Sequence, residues 1–347
     1  MMTQQLFIAR KKSRMKRNPI FIFLLIGATL VLMNCKKQTT PQPLSLQVPA
    51  AYSDAYYANL RAYKKSPHQI CYGWFSEYSQ NYSYGQHFMG VPDSIDIISL
   101  WGGIPSTKMG DTVNSYNPTA YSEMRFVQKT KGTKMLAVAI VQIHNYPQFT
   151  QDSIGITKFA QFFVDQVINN DLDGFDCDYE PNGDFLTGAN FSIFVKYLGQ
   201  FLGPLSKNPD KLLVIDYYNN LPPPDTQPLV NYYVNQAYTQ GVTTNSAANL
   251  QSRYNQVASY CPPKKFIVTE NLGDWWATGG APFTEANGNT LDQDGNTLES
   301  LQGMERWVPT QGPKAGWGAF YFERDYNLNP PYKYMKRCLQ EANPSIQ

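Results

Sequence analysis

Asp173-Gly174-Phe175-Asp176-Cys177-Asp178-Tyr179-Glu180 sets carboxyl and apolar side chains in alternation from Phe175 onward. In a strand, successive side chains point to opposite faces. Gly174, Asp176, Asp178 and Glu180 therefore share one face, and Phe175, Cys177 and Tyr179 share the other. The second face suits packing against helices. The first places three carboxyl groups in file, and burying them is costly unless they are paired, protonated or hydrogen-bonded. A file of three has to share protons, which pushes their pKa values apart. An acidic inner face behind an apolar outer one fits the wall of a barrel, with Glu180 at the C-terminal end of the strand, where barrels carry their chemistry.

The flanking sequence repeats this pattern. Candidate strands are Gln69–Phe75, Ser94–Trp101, Lys134–Ile143, Gly174–Glu180, Lys211–Tyr217, Tyr232–Tyr238, Lys265–Glu270 and Gly316–Phe322. Several, such as Met135-Leu-Ala-Val-Ala-Ile-Val141, are nearly continuous apolar runs, as strands covered on both faces are. Ile156–Asn169 and Phe191–Leu205 carry helical periodicity. Strands and helices in this order predict an α/β fold, a (β/α)8 TIM barrel, with an open doubly wound sheet as the alternative. The alternation is irregular. Tyr218–Asn231, with Pro222-Pro-Pro224 inside it, leaves a short or missing helix between strands five and six. The long stretch between strands seven and eight holds Gly288-Asn-Thr-Leu291 and Gly295-Asn-Thr-Leu298, which predicts an inserted loop or hairpin.

Residues 1–35 read as a signal peptide. Arg10, Lys11, Lys12, Arg14, Lys16 and Arg17 precede an apolar stretch, Asn18–Met33, that is too short to span a bilayer comfortably. Leu32-Met33-Asn34-Cys35 resembles a bacterial lipobox, with Asn34 where a small residue is usual. That resemblance implies lipidation of Cys35 and an exported, membrane-anchored lipoprotein. Residues 36–66 begin rich in Gln, Thr, Pro and Lys and read as a tether. Residues 67–347 remain as one barrel domain.

Composition narrows the function. A formal net charge of +2, much of it in the leader, gives no basic patch for nucleic acid. Against 16% charged residues stand 24 Tyr, 19 Phe and 6 Trp, and flat aromatic rings cover the C–H faces of sugars well. Cys71, Cys177, Cys261 and Cys338 are widely spaced and show no metal pattern; Cys71 and Cys177 sit in apolar runs that favour buried thiols over disulfides. His68, His87 and His144 are scattered, and Asp292-Gln-Asp294-Gly-Asn296 reads as a turn rather than a calcium loop, so no metal site is expected.

The acidic stretch matches the Asp-Gly-x-Asp-x-Asp-x-Glu signature of glycoside hydrolase family 18, which that family carries on strand four of a (β/α)8 barrel. Gln236-Ala-Tyr238 resembles the Gln-x-Tyr of the endo-β-N-acetylglucosaminidases, where chitinases usually show Met-x-Tyr. The Ser-x-Gly-Gly of chitinase strand three is replaced here by Ile140-Val-Gln-Ile-His144. The resemblance implies a retaining hydrolase in which the substrate's 2-acetamido oxygen is the nucleophile. Glu180 would be the acid and then the base. Asp178 would orient the acetamide, and Asp176 would share a proton with Asp178. Gln236 and Tyr238 would bind the acetamide region. Substrate would be an N-acetylglucosamine-containing glycan, cut in the chitobiose core of N-glycans, with no cofactor and the chain acting as a monomer. Trp74, Trp101, Trp275, Trp276 and Tyr321 are candidate sugar platforms at the rim, Trp275-Trp276 the best pair because neighbours on a strand face opposite ways. Two other functions remain open at this point: a non-catalytic glycan-binding protein on the same fold, and a chitinase.

Overall fold

The computed structural model describes residues 52–79, 84–239 and 244–344. The leader, Cys35 and the first part of the expected tether lie outside the described residues. Eight parallel strands close a barrel: β1 (Ile70–Phe75), β2 (Ile97–Leu100), β3 (Lys134–Ile140), β4 (Gly174–Asp178), β5 (Leu212–Tyr217), β6 (Tyr232–Gln236), β7 (Phe266–Asn271) and β8 (Gly316–Phe320). Each pairs with its sequence neighbours, and β1 pairs with β8. All eight expected strands are present; seven are shorter than expected, and β7 runs one residue further, to Asn271.

Alternation along β4 sorts the side chains as expected. Phe175, Cys177 and Tyr179 join a large outer core beneath the helices. A smaller inner core fills the barrel, with Tyr72, Trp74, Leu136, Val214, Val234 and Ile267 among its members. Outer packing is aromatic. Phe175 stacks on Phe163 at 4.4 Å and Tyr179 on Phe191 at 4.0 Å between ring centroids. Phe163 belongs to the helix Ser153–Asn169, where Asp152 caps the N-terminus by accepting from the Gly155 N–H. Its buried residues Ile156, Phe159, Ala160, Phe163, Val164 and Val167 follow the helical repeat. Burying a Phe, Val or Ile side chain of this kind contributes about 1.5–3 kcal/mol, which fixes β4 from outside.

The irregularities are also as expected. Only the 3-10 turn Pro224–Leu229 joins β5 to β6. The insertion after β7 folds on itself through antiparallel bridges, Pro282 with Glu299 and Leu291 with Thr297. Gly288 and Gly295 take left-handed φ values of 86° and 79° at its turns. Asp292 accepts backbone N–H groups from Asp294 and Asn296, the turn expected from its sequence. Among the described residues between β1 and β2 there are 3-10 turns and no α-helix, which sequence reading missed.

The tether boundary needs correction. Within residues 36–66, Asp54–Tyr63 is a helix, capped by Ser53, that buries Tyr57 and Leu60. It docks on the segments that lead into β2 and β3. Tyr56 donates to Asp93 at 2.8 Å, Arg61 to the Thr130 carbonyl at 2.6 Å, and Lys64 to the Ile95 carbonyl at 2.7 Å. The helix thus packs on the side of the barrel end where the strands begin, away from the end that delivers Glu180. The four cysteines Cys71, Cys177, Cys261 and Cys338 are all buried free thiols.

Candidate active site

Asp173, the first acid of the motif, is an anchor rather than part of the site. Its carboxyl accepts from the Met135 N–H at 2.9 Å and from Gln128 at 2.7 Å, clipping the start of β4 to β3 and to the turn before it. Gly174 follows because a Cβ there would lie 2.2 Å from the Leu212 carbonyl oxygen of β5. Beyond it the file rises inside the barrel. Asp176 is wholly buried, and its Oδ2 accepts from Tyr72 at 2.6 Å, Ser99 at 2.8 Å and the Trp74 indole at 3.0 Å.

Asp178 is also buried, and in the β4–β5 ladder it stands directly opposite Asp216. Gln236, on β6, donates to Asp216 at 2.6 Å and to Asp178 at 3.2 Å. Both of its N–H groups therefore serve carboxyl groups, and its carbonyl oxygen is left as the free end. Asp216 thus shares the Gln236 amide with Asp178 and lies within electrostatic reach of both Asp176 and Asp178. Sequence reading missed Asp216. A signal was available: an acid two residues after Val214, on the same face of an otherwise apolar strand.

Burial pushes all these acids toward their neutral forms. Asp176 is raised by burial, in spite of its hydrogen-bond donors. Asp178 is pushed well above the usual range by burial, then by the charges of Glu180 and Asp176. Asp216 is pushed well up by burial, then by Asp176 and Asp178. Glu180 lies two residues past the end of β4, is half-buried, and is raised by burial alone. A half-buried acid with a raised pKa at the mouth of the barrel is equipped to hand a proton to a bound molecule.

The loops that carry Glu180 are held. Gln142, after β3, donates to the Glu180 carbonyl. Asp184 accepts from the backbone N–H groups of Ile143, His144 and Leu186, and contacts the His144 ring at 2.6 Å. His144 is thus structural. Across the mouth, buried Glu270 of β7 accepts from the Thr239 N–H at 3.0 Å and its hydroxyl at 2.6 Å, which fixes the turn that presents Tyr238. Burial and the nearby carboxyl groups raise the Tyr238 phenol far above its ordinary value, so it remains a hydrogen-bond donor.

The aromatic expectations fare unevenly. Trp74 is buried beneath the site as a donor to Asp176, not a platform, because its position on β1 points into the barrel. Trp275 and Trp276 lie at the end of the single helical turn Leu272–Trp275, so strand alternation does not apply. Both pack on the outer core, and Trp275 donates to the Thr239 carbonyl at 3.2 Å. Tyr321 takes a left-handed φ of 51° at the end of β8 and packs on its neighbour Phe320 and on Arg324. Phe320, which the sequence reading passed over, is the inward aromatic: it meets Trp74, Trp101 and Tyr238 at 6.2, 5.4 and 6.0 Å. Among the described residues no group of His, Cys, Asp and Glu side chains is arranged to hold a metal ion.

A file of acids on strand four, rising to a free glutamate at the mouth, coincides with what a family-wide comparison finds. The model of glycoside hydrolase family 18, BT1044-like, matches residues 36–340. The chain belongs to glycoside hydrolase family 18. It is therefore a glycoside hydrolase. It is 26% identical to endo-beta-N-acetylglucosaminidase F2 of Elizabethkingia meningoseptica, over 93% of this chain and 98% of that one. In fold it is similar to a Glu-to-Gln variant of BT1044, with a TM-score of 0.68 at 23% identity over 84% of this chain and 93% of that one. It is also similar to the endo-beta-N-acetylglucosaminidase of Cordyceps militaris, with a TM-score of 0.63 at 20% identity over 85% and 98%. A double mutant of that enzyme is known in complex with fucosyl-N-acetylglucosamine-Asn.

Proposed function

We propose that this hydrolase is a retaining endo-β-N-acetylglucosaminidase that cuts the chitobiose core of N-glycans and uses the substrate's own acetamide as nucleophile. The observation that carries the mechanism is the setting of Asp178. A retaining enzyme with two working carboxyl groups needs the second one free to attack the sugar. Asp178, the carboxyl nearest Glu180 along the file, is 2% exposed, accepts from Gln236 and faces Asp216 across the ladder. That setting supports a holding role for Asp178 rather than an attacking one.

Glu180 protonates the glycosidic oxygen as the bond to the leaving sugar breaks. The acetamide oxygen closes on the anomeric carbon, and Asp178 takes the acetamide N–H in a hydrogen bond as positive charge develops on the ring. Water then attacks from the side of the departed sugar, with Glu180 as its base, and configuration is retained. An intramolecular nucleophile gains effective concentration from being held in place. The Tyr238 phenol would steady the acetamide oxygen, while Gln236 spaces the carboxyl groups that receive the N–H. The Cordyceps relative, an endo-enzyme with an N-glycan stump among its complexes, supports the choice of substrate. Export, a lipid on Cys35 and action as a single chain are part of the same proposal.

Incubation with N-glycoproteins and with chitin oligomers, read by mass spectrometry, tests it. Glycans should leave with one N-acetylglucosamine at the reducing end, and one should stay on the asparagine. A thiazoline mimic of the cyclised acetamide should bind more tightly than the parent sugar. Cleavage next to asparagine, turnover of chitin alone, or efficient hydrolysis of a substrate without the acetamido group would each rule it out. For the anchor, Cys35→Ala should abolish labelling by a fatty-acid analogue; persistent label rejects it.

A further inference from the structure

We infer that Asp216 is the proton-holding residue of the site: one hydrogen stays on its carboxyl, turned toward Asp176, so that Asp178 is anionic when substrate arrives. Its place in the ladder is the first reason. Asp216 faces Asp178 across neighbouring strands, and the Gln236 amide bridges the two. The second reason is a count of donors. Three donors converge on Asp176 Oδ2, and Gln236 serves Asp216 Oδ2 and Asp178 Oδ1. Asp176 Oδ1 and Asp216 Oδ1 are both buried and meet no donor. A buried carboxyl oxygen without a donor is costly, and a hydrogen on Asp216 Oδ1 shared with Asp176 Oδ1 answers both orphaned atoms.

The groups that face Asp216 leave no other means of neutralising it. From β4 they are Asp176, Cys177 and Asp178, from β1 Tyr72, and beyond β6 Tyr238. None of these is a cation. Burial accordingly favours the protonated form of the cluster.

The catalytic consequence rests on the proposed acetamide mechanism. The Asp216 O–H is held toward Asp176 Oδ1, so Asp178 carries no hydrogen when the acetamide N–H comes to it. No covalent bond breaks, and the hydrogen stays on Asp216. Asp178 is left fully anionic beneath the developing positive charge. Asp216 is thus a positioning residue, acting through Asp178.

Neutron diffraction of the deuterated wild-type protein reads the hydrogen directly and needs no variant. A deuteron on the Asp216 carboxyl is expected; a bare Asp216 with the deuteron on Asp176 or Asp178 overturns the inference. Asp216→Asn keeps the size and introduces N–H donors but neither gains nor loses a proton. It should lower kcat by up to about 100-fold, as a misplaced catalytic group does, and remove one ionisation from the kcat–pH profile. A folded Asp216→Asn protein whose profile keeps the wild-type shape also overturns it. If the acetamide mechanism alone is wrong, the products will be wrong while the deuteron remains on Asp216.

Discussion

Two groups of acids in this molecule are sheltered from water, and they are neutralised in opposite ways. On the outside of the barrel, Glu341 of the C-terminal helix Lys333–Ala342 accepts from Arg306, Arg337 and Gln302. Burial alone would raise its pKa, but these donors outweigh burial and hold it below the ordinary glutamate value. Inside the barrel, Asp176, Asp178 and Asp216 have hydroxyl, indole and amide donors but no cation beside them, and burial raises them. Counter-ions hold one group in a single state, which suits a scaffold. Protons hold the other, and protons can be moved within the time of a turnover.

The largest expected effect lies at the mouth. Glu180→Gln keeps shape but removes the donated proton, so kcat should fall by about 10²–10⁴-fold with little change in Tm. Near-full turnover would refute its assignment. Glu341→Gln should do the reverse: it leaves charged donors unsatisfied, costing about 1–3 kcal/mol of stability by denaturant unfolding, with kcat unchanged. A loss of kcat there would break the contrast between scaffold and site.

The pH dependence of stability sharpens it further, with smaller effects. Glu341 has a lowered folded pKa, so its contribution is present above the ordinary glutamate value and is lost as pH falls through the folded one. The inner aspartates have raised folded values. Their contribution is present below the ordinary aspartate value and is lost as pH rises through the folded ones. Unfolding measured across pH should show decline on both sides. Glu341→Gln should soften only the acidic side; softening of both sides would mean the two groups are coupled.

The fold was legible because each barrel strand is an unbroken apolar or alternating run and β4 declares its faces. Asp176, Asp178 and Glu180 could be placed on one side by parity alone, and Gln236 reached the same cluster from β6. Asp216 was overlooked because one acid in an apolar strand is a weak signal, and its meaning lies in the register between strands. The same limit explains Phe320 and Tyr321. Parity points to one of two adjacent aromatics only if the strand's end is known, and the left-handed φ at Tyr321 marks that end. Trp275 and Trp276 were misjudged because a helical turn stood where a strand's end was assumed. The helix Asp54–Tyr63 was overlooked behind a polar stretch, although Ser53 supplies a capping side chain and Tyr57 and Leu60 the helical spacing.

Gly174 has a reach well beyond its own surroundings. It pairs with Leu212 at the foot of the same two-strand ladder that pairs Asp178 with Asp216, about 13 Å higher. A methyl group at 174 would meet the Leu212 carbonyl at 2.2 Å and wedge the strands apart at the foot. The two strands act like the blades of scissors, where the gap allowed at the pivot governs the gap at the tips. An absent side chain on the floor of the barrel thereby sets how closely two acids meet below its mouth, and a lesion in packing there would be felt as a lesion in chemistry.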